Sequence, residues 1–200
     1  MTEIIETVPS WLPIVIAVAV VIILLIILHL IRRQSSATAR VQKTLDRISV
    51  DSLSGIVIPK ADDGQIQLDL VLLTGSGILV VEYKDVEGVV FGSDRMQDWT
   101  VIDGERRYTF ANPQMALYDR VAAVRQIARN VPVDGRILFS EAAKFTKGVP
   151  TNVAGVKELL EEFPKVDSKR PPPAVNAFFP QWEKLREEAV STQVEKLFNA

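Results

Sequence analysis

Residues 67–84 read Gln-Leu-Asp-Leu-Val-Leu-Leu-Thr-Gly-Ser-Gly-Ile-Leu-Val-Val-Glu-Tyr-Lys, two apolar runs joined by a Gly-Ser pair. Glycine supplies the positive φ that the first position of a two-residue hairpin loop requires, so the stretch predicts a β-hairpin. A turn centred between Gly75 and Ser76 places Asp69 opposite Glu82. Both faces of the two strands are apolar, which predicts a strand pair buried on both sides.

The predicted neighbours Asp69 and Glu82 carry like charges, and like charges that face each other destabilise a sheet. Their Cβ atoms would lie about 5 Å apart, with Lys84 on the same side of the sheet. Two interpretations are open. One is a site for a hard divalent cation such as Mg²⁺, which prefers oxygen ligands. The other is a salt-bridged trio in which Lys84 neutralises one carboxylate.

Residues 12–31 form an apolar run without a formal charge, about long enough to cross a bilayer as a helix. Four basic residues follow the run, at positions 32, 33, 40 and 43. The charged side chains before it, Glu3 and Glu6, are both acidic. The positive-inside rule therefore predicts a single-pass protein of the cell membrane, with residues 1–11 outside and the rest of the chain in the cytoplasm. The acidic start and the lack of a small-residue cleavage site argue against a cleaved signal peptide.

Composition excludes several kinds of site. The chain has no cysteine, so it has no disulfide and no thiolate zinc site. The single histidine, His29, lies in the predicted membrane segment, which removes histidine general-base chemistry from the remainder. The net charge of −2 is not that of a strongly basic nucleic-acid binder, so any contact with phosphates would depend on local basic patches.

After a juxtamembrane linker at 32–36, the pattern predicts one α/β domain at 37–165. A first helix at 37–48 precedes the strands, and Asp103-Gly104 predicts a second hairpin. Asn112-Pro113 opens a helix because proline is tolerated at its first position, and Thr151 is a candidate cap for a later helix. The proline-rich residues 166–180 predict a linker, and residues 181–200 predict an amphipathic helix packed on the domain or on a partner.

Several of these residues carry a resemblance to a known family. They are Gln67-Leu-Asp69-Leu-Val-Leu, the run from Gly77 to Lys84, Gly88, Trp99 and Asn112-Pro113. Their order resembles the PD-(D/E)XK nuclease superfamily, and more closely the NERD (nuclease-related) domain, often found in bacterial membrane proteins. The resemblance implies a restriction-endonuclease-like core with a central mixed sheet flanked by helices.

The resemblance also implies metal-dependent cleavage of phosphodiesters. Asp69 and Glu82 would hold Mg²⁺ or Mn²⁺ with help from the Tyr83 carbonyl. Lys84 would orient the attacking water or stabilise charge on the phosphate, so the implied catalytic set is Asp69, Glu82 and Lys84. A divalent ion can activate water without any histidine, which agrees with the composition.

Two positions depart from the family pattern. The family often has a glutamate on its first helix, where this chain has none, and either Gln42 or Asp46 substitutes for it or nothing does. The glutamine of the family's Asn-Pro-x-x-Gln pattern is replaced by Ala116.

Three functions therefore stay open. The first is a membrane-anchored nuclease that cleaves DNA or RNA at the cytoplasmic face. The second is a catalytically degenerate module that binds nucleic acid or a protein partner at the membrane. The third is an interaction protein that assembles through its transmembrane segment and its C-terminal helix.

Overall fold

The computed structural model describes residues 15–25, 41–62, 64–167 and 170–198, without the side chains of residues 191–198. The chain divides into two units, Met1–Arg40 and Val41–Ala200. In the first unit, residues 15–25 are helical, and their large apolar side chains are each between 49% and 59% exposed. The predicted membrane helix at 12–31 extends beyond the described residues at both ends. Among the described helices, none is both long and apolar enough to cross a membrane.

The second unit is a mixed α/β fold, which confirms the predicted class of a central mixed sheet flanked by helices. Its strands are β1 (Ser49–Pro59), β2 (Gln65–Thr74), β3 (Gly77–Lys84), β4 (Gly88–Phe91), β5 (Asp98–Asp103), β6 (Arg106–Ala111), β7 (Val133–Phe139), β8 (Ala143–Phe145) and β9 (Val153–Ala154). Its helices are α1 (Pro113–Ile127), α2 (Val156–Glu162) and α3 (Pro173–Phe198). The central sheet has the order β1-β2-β3-β7-β9, and the smaller sheet has the order β6-β5-β4-β8. In the central sheet, β7 runs parallel to β3, and α1 lies in the connection between them.

The hairpin of β2 and β3 has the predicted register, with Thr74 paired to Gly77. Its turn is closed by Thr74, whose hydroxyl donates to the Gly77 carbonyl at 2.8 Å and accepts from the Ser76 N–H at 3.2 Å. The positive φ lies at Gly77, at 134°, and not at Gly75 as the turn rule predicts. A Cβ at Gly77 would lie 2.3 Å from the Pro132 carbonyl oxygen, so this position requires glycine for close backbone approach as well.

Both faces of the hairpin are buried, as predicted, and each face belongs to a different core. The larger core lies under α1 and α3 and includes Val71, Leu73, Ile78, Val80, Leu117, Val121, Val124, Trp182 and Leu185. The smaller core lies on the opposite face and includes Leu45, Ile48, Leu70, Leu72, Leu79, Val81, Leu138 and Leu159. Of the predicted first helix, residues 41–45 are helical, residues 37–40 lie outside the described residues, and β1 already begins at Ser49.

The C-terminal helix begins earlier than the sequence predicts. Residues 173–180, assigned above to the linker, form the first part of α3, and Pro180 lies inside the helix. The prediction fails because Pro173 stands at the helix start, where its missing N–H costs nothing. Val175, Trp182 and Leu185 are each fully buried in the larger core, so α3 packs on the domain.

Two further local predictions are wrong in detail. The second hairpin pairs Asp103 with Arg106, so its loop residues are Gly104 and Glu105. Helix α2 begins at Val156 with Gly155 as its N-cap, and Thr151 does not cap it. Thr151 instead bonds to the side chain of Asp94, a contact between residues that are distant in sequence.

Trp182 provides a test of how much α3 contributes to stability. Its side chain is fully buried, and its Nε1 donates to Asp51 on β1 at 3.0 Å. Trp182→Ala should lower the free energy of unfolding of the full chain by about 3–5 kcal/mol, because a large cavity remains and the hydrogen bond to Asp51 is lost. Urea denaturation measures this. The control Val190→Ala, at a residue 56% exposed, should change it by less than about 0.5 kcal/mol. Wild-type stability in Trp182→Ala would contradict the packing of α3 as part of the folded core.

Candidate functional site

Glu82 is the centre of the candidate site. It lies on β3 with only 3% of its side chain exposed, and both of its carboxylate oxygens form ion pairs. Lys84 Nζ lies 2.6 Å from Oε1, and Arg120 Nη1 lies 3.1 Å from Oε2. An unpaired carboxylate at this depth would be costly, and the two ion pairs offset the cost of burying it. Lys84 therefore lies beside Glu82, as predicted. The other side chain paired with Glu82, that of Arg120, is also a cation.

Arg120 is the site residue that the sequence reasoning missed. It lies on α1, and its Nε donates to the Gln67 carbonyl at 2.9 Å while its Nη1 holds Glu82. It therefore joins β2 and β3 through one group on each strand. A signal was present in the sequence, because Arg120 lies three residues after Leu117 and directly before Val121, both in the buried stripe of the helix. A charged residue at that spacing faces the sheet.

Asp69 lies one position beyond the last paired residues of the hairpin, Leu70 and Val81. The strand pairing thus stops before the two carboxylates become directly opposed. Asp69 is half-buried, and in the part of the chain that the structure describes its carboxylate has no hydrogen-bond or ion-pair partner. On its other side, the β1 register brings Gly55 alongside. Gly55 has a φ of 61° and no atom within 4 Å of the Cβ that it lacks, so the space beside it is open.

Tyr83 can contribute its carbonyl to this site, but not its side chain. The next carbonyl, that of Lys84, accepts the Ser140 N–H at 3.0 Å on the β7 side of the strand. Successive carbonyls of a strand point to opposite sides, so the Tyr83 carbonyl points towards β2. The Tyr83 ring packs against the smaller core on the other face. Burial there raises the pKa of the phenol, and the charges of Asp85 and Glu141 raise it further.

The donor set fits a divalent cation. Two carboxylates and one backbone carbonyl are oxygen ligands of the kind that Mg²⁺ and Mn²⁺ take, and such ions complete their shells with water or phosphate oxygens. Asp69 has a carboxylate available for this role. Among the described residues, no group of three or more His, Cys, Asp or Glu side chains is placed to hold a metal. A metal here would therefore depend on Asp69 and Glu82 together.

Neither candidate substitute for the family's first-helix glutamate joins the site. Gln42 donates from Nε2 to the Ser52 hydroxyl at 3.2 Å. Ser52 is paired with Leu72, whose side chain belongs to the smaller core, on the face opposite Glu82. Asp46 is exposed. Among the described residues, it does not join Asp69 and Glu82 in a cluster of side chains that could hold a metal.

Ala116 replaces the glutamine of the family's Asn-Pro-x-x-Gln pattern, and a buried glutamine lies two residues earlier. Gln114 is 2% exposed, and its Nε2 donates to Asp94 Oδ1 and to the Thr151 carbonyl, each at 2.7 Å. Asn112 caps α1 by accepting the Gln114 N–H at 2.9 Å. This network ties the start of α1 to the loop after β4 and to the chain before β9, and so it fixes the helix that carries Arg120.

Residues 33–140 match the sequence model of the nuclease-related domain, NERD. The chain belongs to the NERD family. The match confirms the resemblance drawn from the hairpin and the Asn-Pro pair, and it indicates a nuclease-related function. It includes β1 to β7 and α1, whereas α2 and α3 follow the matched residues. No curated protein and no solved structure matches the chain.

Asp94 in the Gln114 network predicts a change in the pH dependence of stability. The hydrogen bonds from Gln114 and Thr151 hold the pKa of Asp94 below its ordinary value of 3.8. A carboxylate with a lowered pKa stabilises the fold above its unfolded pKa, and this stability is lost as the pH falls through the folded pKa. The loss in free energy of unfolding between about pH 6 and pH 3 should therefore be larger in the wild type than in Asp94→Asn.

Chemical denaturation across this pH range measures the free energies of unfolding of the wild type and of Asp94→Asn. The difference between them should shrink as the pH falls. Thr151→Ala removes only the hydroxyl bond to Asp94 and should give an intermediate result. A difference that stays constant with pH would contradict the assignment.

Proposed function

We propose that the protein is a divalent-metal-dependent nuclease that hydrolyses DNA or RNA phosphodiesters at the cytoplasmic face of a cell membrane. What supports this proposal is the ion pair of Glu82 with Lys84 at the end of the paired hairpin, one position beyond Leu70 and Val81, where Asp69 also lies. Asp69 brings a carboxylate without a partner among the described residues, and Glu82 brings a buried carboxylate with Lys84 Nζ 2.6 Å away.

Each residue has a distinct part in this proposal. Asp69 and Glu82 hold Mg²⁺ or Mn²⁺, with the Tyr83 carbonyl as a further ligand. A bound divalent ion lowers the pKa of a coordinated water and neutralises charge on the phosphate. Lys84 has 32% of its side chain exposed, so its ammonium lies between the buried Glu82 and solvent. From there it can hold a phosphate oxygen or orient the attacking water, as a compact point charge does.

The nuclease proposal is best tested at Asp69. Asp69→Asn removes no bond of the described structure, whereas a Glu82 variant would leave the two partly buried cations Lys84 and Arg120 without this partner. The purified full chain should cleave single- or double-stranded DNA or RNA with Mg²⁺ or Mn²⁺, and not with EDTA. Asp69→Asn and Lys84→Ala should each slow cleavage by about a hundredfold or more.

Lys157→Ala is the matched control, because it removes a lysine whose side chain is 83% exposed and distant from the site. It should cleave at the wild-type rate and, like Asp69→Asn, should have the wild-type melting temperature, whereas Lys84→Ala removes an ion pair of the buried Glu82 and is assayed below its own, lower melting temperature. The proposal fails if folded wild-type protein cleaves none of these substrates at millimolar metal, or if Asp69→Asn and Lys84→Ala cleave as fast as Lys157→Ala.

A second candidate function is a NERD module that binds nucleic acid or a protein partner at the membrane without cleavage. The observation that favours it is the pairing of both Glu82 oxygens with cations, which leaves Asp69 as the carboxylate without an ion pair. Metal-independent binding of nucleic acid in a gel-shift assay, without cleavage, would support this function over the first. A protein partner would bind through the exposed side of α3, since Val175, Trp182 and Leu185 are buried in the core.

The membrane anchor is part of the proposal. It rests on the uncharged run at 12–31 and on Arg32 and Arg33 directly after it. The described part of this run, residues 15–25, is a helix with exposed apolar side chains. The proposed orientation places residues 1–11 outside the cell and the NERD domain in the cytoplasm, where nucleic acid is available.

The lack of cysteine in the chain allows a direct test of this orientation. In intact cells, a membrane-impermeant maleimide should label the variant Thr2→Cys. It should label Lys157→Cys only after permeabilisation, because that residue would lie in the cytoplasm. Both variants should stay in the membrane fraction after a carbonate wash. Labelling in the opposite order, or release of the protein by carbonate, would contradict the proposed anchor.

A further inference from the structure

We propose that Arg120 is a resident counter-cation of Glu82 that competes with the divalent ion for this carboxylate. When the ion binds, Arg120 releases Glu82 and offers its guanidinium to the substrate phosphate. This inference rests on the proposed metal site at Asp69 and Glu82. It assigns to Arg120 a positioning role that neither the family match nor the implied catalytic set contains.

Glu82 is already occupied by cations before any metal binds. Each carboxylate oxygen of Glu82 already has a cation, Lys84 at 2.6 Å and Arg120 at 3.1 Å. A divalent ion binds carboxylate oxygens at about 2.0–2.6 Å. An ion on one of these oxygens would lie close to the cation already bonded to it and repel it, and this repulsion is weakly screened because Glu82 is buried. The inference is that this repulsion displaces one of the two cations from Glu82.

Arg120 is the cation that would leave Glu82. Its ion pair with Glu82 is the longer of the two. Arg120 also has a second anchor, since its Nε donates to the Gln67 carbonyl at 2.9 Å. The contact between α1 and β2 can thus survive when Nη1 releases Glu82. Among the described residues, the Lys84 ammonium has no partner other than Glu82, and it lies on the same strand, so it stays beside the carboxylate.

Metal binding would change the net charge of the site. The formal charges of Asp69, Glu82, Lys84 and Arg120 sum to zero, so the four side chains form a neutral set without the ion. With a divalent ion bound, the same set is strongly positive, which favours a phosphodiester. A guanidinium that remains bonded through Nε still has free donors, and its planar fork matches two phosphate oxygens. Arg120 would then couple metal binding to phosphate binding.

The test is the affinity for Mn²⁺ alone, measured by titration calorimetry on the purified full chain. Arg120→Gln should bind Mn²⁺ about tenfold more tightly than the wild type, because a charge-assisted bond to Glu82 no longer has to be broken. Arg125→Gln is the matched control. Arg125 lies on the same helix and donates to the Val133 carbonyl at 2.7 Å, so its loss removes the same charge away from Glu82.

Two results of this titration would overturn the inference while leaving the metal site intact. One is equal Mn²⁺ affinity in the wild type and in Arg120→Gln. The other is an equal gain in Arg120→Gln and Arg125→Gln, which would assign the effect to overall charge. Absence of binding in all three folded proteins would instead overturn the metal site, and with it the proposed function and this inference. Binding by Arg120→Gln where the wild type binds too weakly to detect would support the inference.

A second measurement keeps the inference testable if Arg120→Gln does not fold. In the wild type, the side-chain Nε–H signal of Arg120 in nitrogen-15 spectra should shift as Mg²⁺ saturates the site, and the signal of Arg125 should not. Arg120→Lys retains the charge but cannot bond both Gln67 and Glu82, so it should bind Mn²⁺ more tightly than the wild type. An Arg120 signal that does not move at saturating Mg²⁺ would overturn the inference.

Discussion

The buried carboxylate of Glu82 is the constraint on which the arrangement of the domain depends. A charge at this depth needs partners, and it takes one from its own strand, Lys84, and one from a helix, Arg120. Because Arg120 also bonds the Gln67 carbonyl, one guanidinium joins β3, β2 and α1. The helix that connects β3 to β7 is thereby positioned by electrostatics as well as by the apolar stripe of Leu117, Val121 and Val124.

The same helix is fixed at three points along its length. At its start, Asn112 and Gln114 connect it to the loop after β4 and to the chain before β9. In its middle, Arg120 connects it to the hairpin, and near its end Arg125 bonds the Val133 carbonyl at the start of β7. A helix held in this way has little freedom to tilt. The small sheet therefore contributes to the site indirectly. The loop after its strand β4 holds the start of α1, the helix that carries Arg120.

The parts of the fold that could be predicted from the sequence are those that local rules determine. The register of β2 and β3 follows from a two-residue turn and a period of two, and the start of α1 follows from the Asn-Pro pair. Asp69, Glu82 and Lys84 could be named as candidates from the sequence, since all three lie on one hairpin, and their role as a site stays a prediction. The spacing of Arg120 on α1 predicts that it faces the sheet, but its contact with Glu82 could not be predicted, because that contact spans 38 positions and exists only once α1 has docked. The start of α3 was missed for a related reason: local proline content suggests a break, whereas packing of Val175 on the core favours a helix.

The packing of α3 also has a consequence for how the protein is made. Asp51 and Trp182 are 131 positions apart, yet their bond holds the edge strand β1 to the last helix of the fold. The ribosome therefore delivers every strand of the central sheet before it delivers α3, the second of the two helices that cover the larger core. During that interval, apolar side chains of β1 and β2 remain open to water, and contacts this distant in sequence form slowly. The nascent chain thus passes through a stage in which aggregation competes with folding, and only the emergence of α3 ends it.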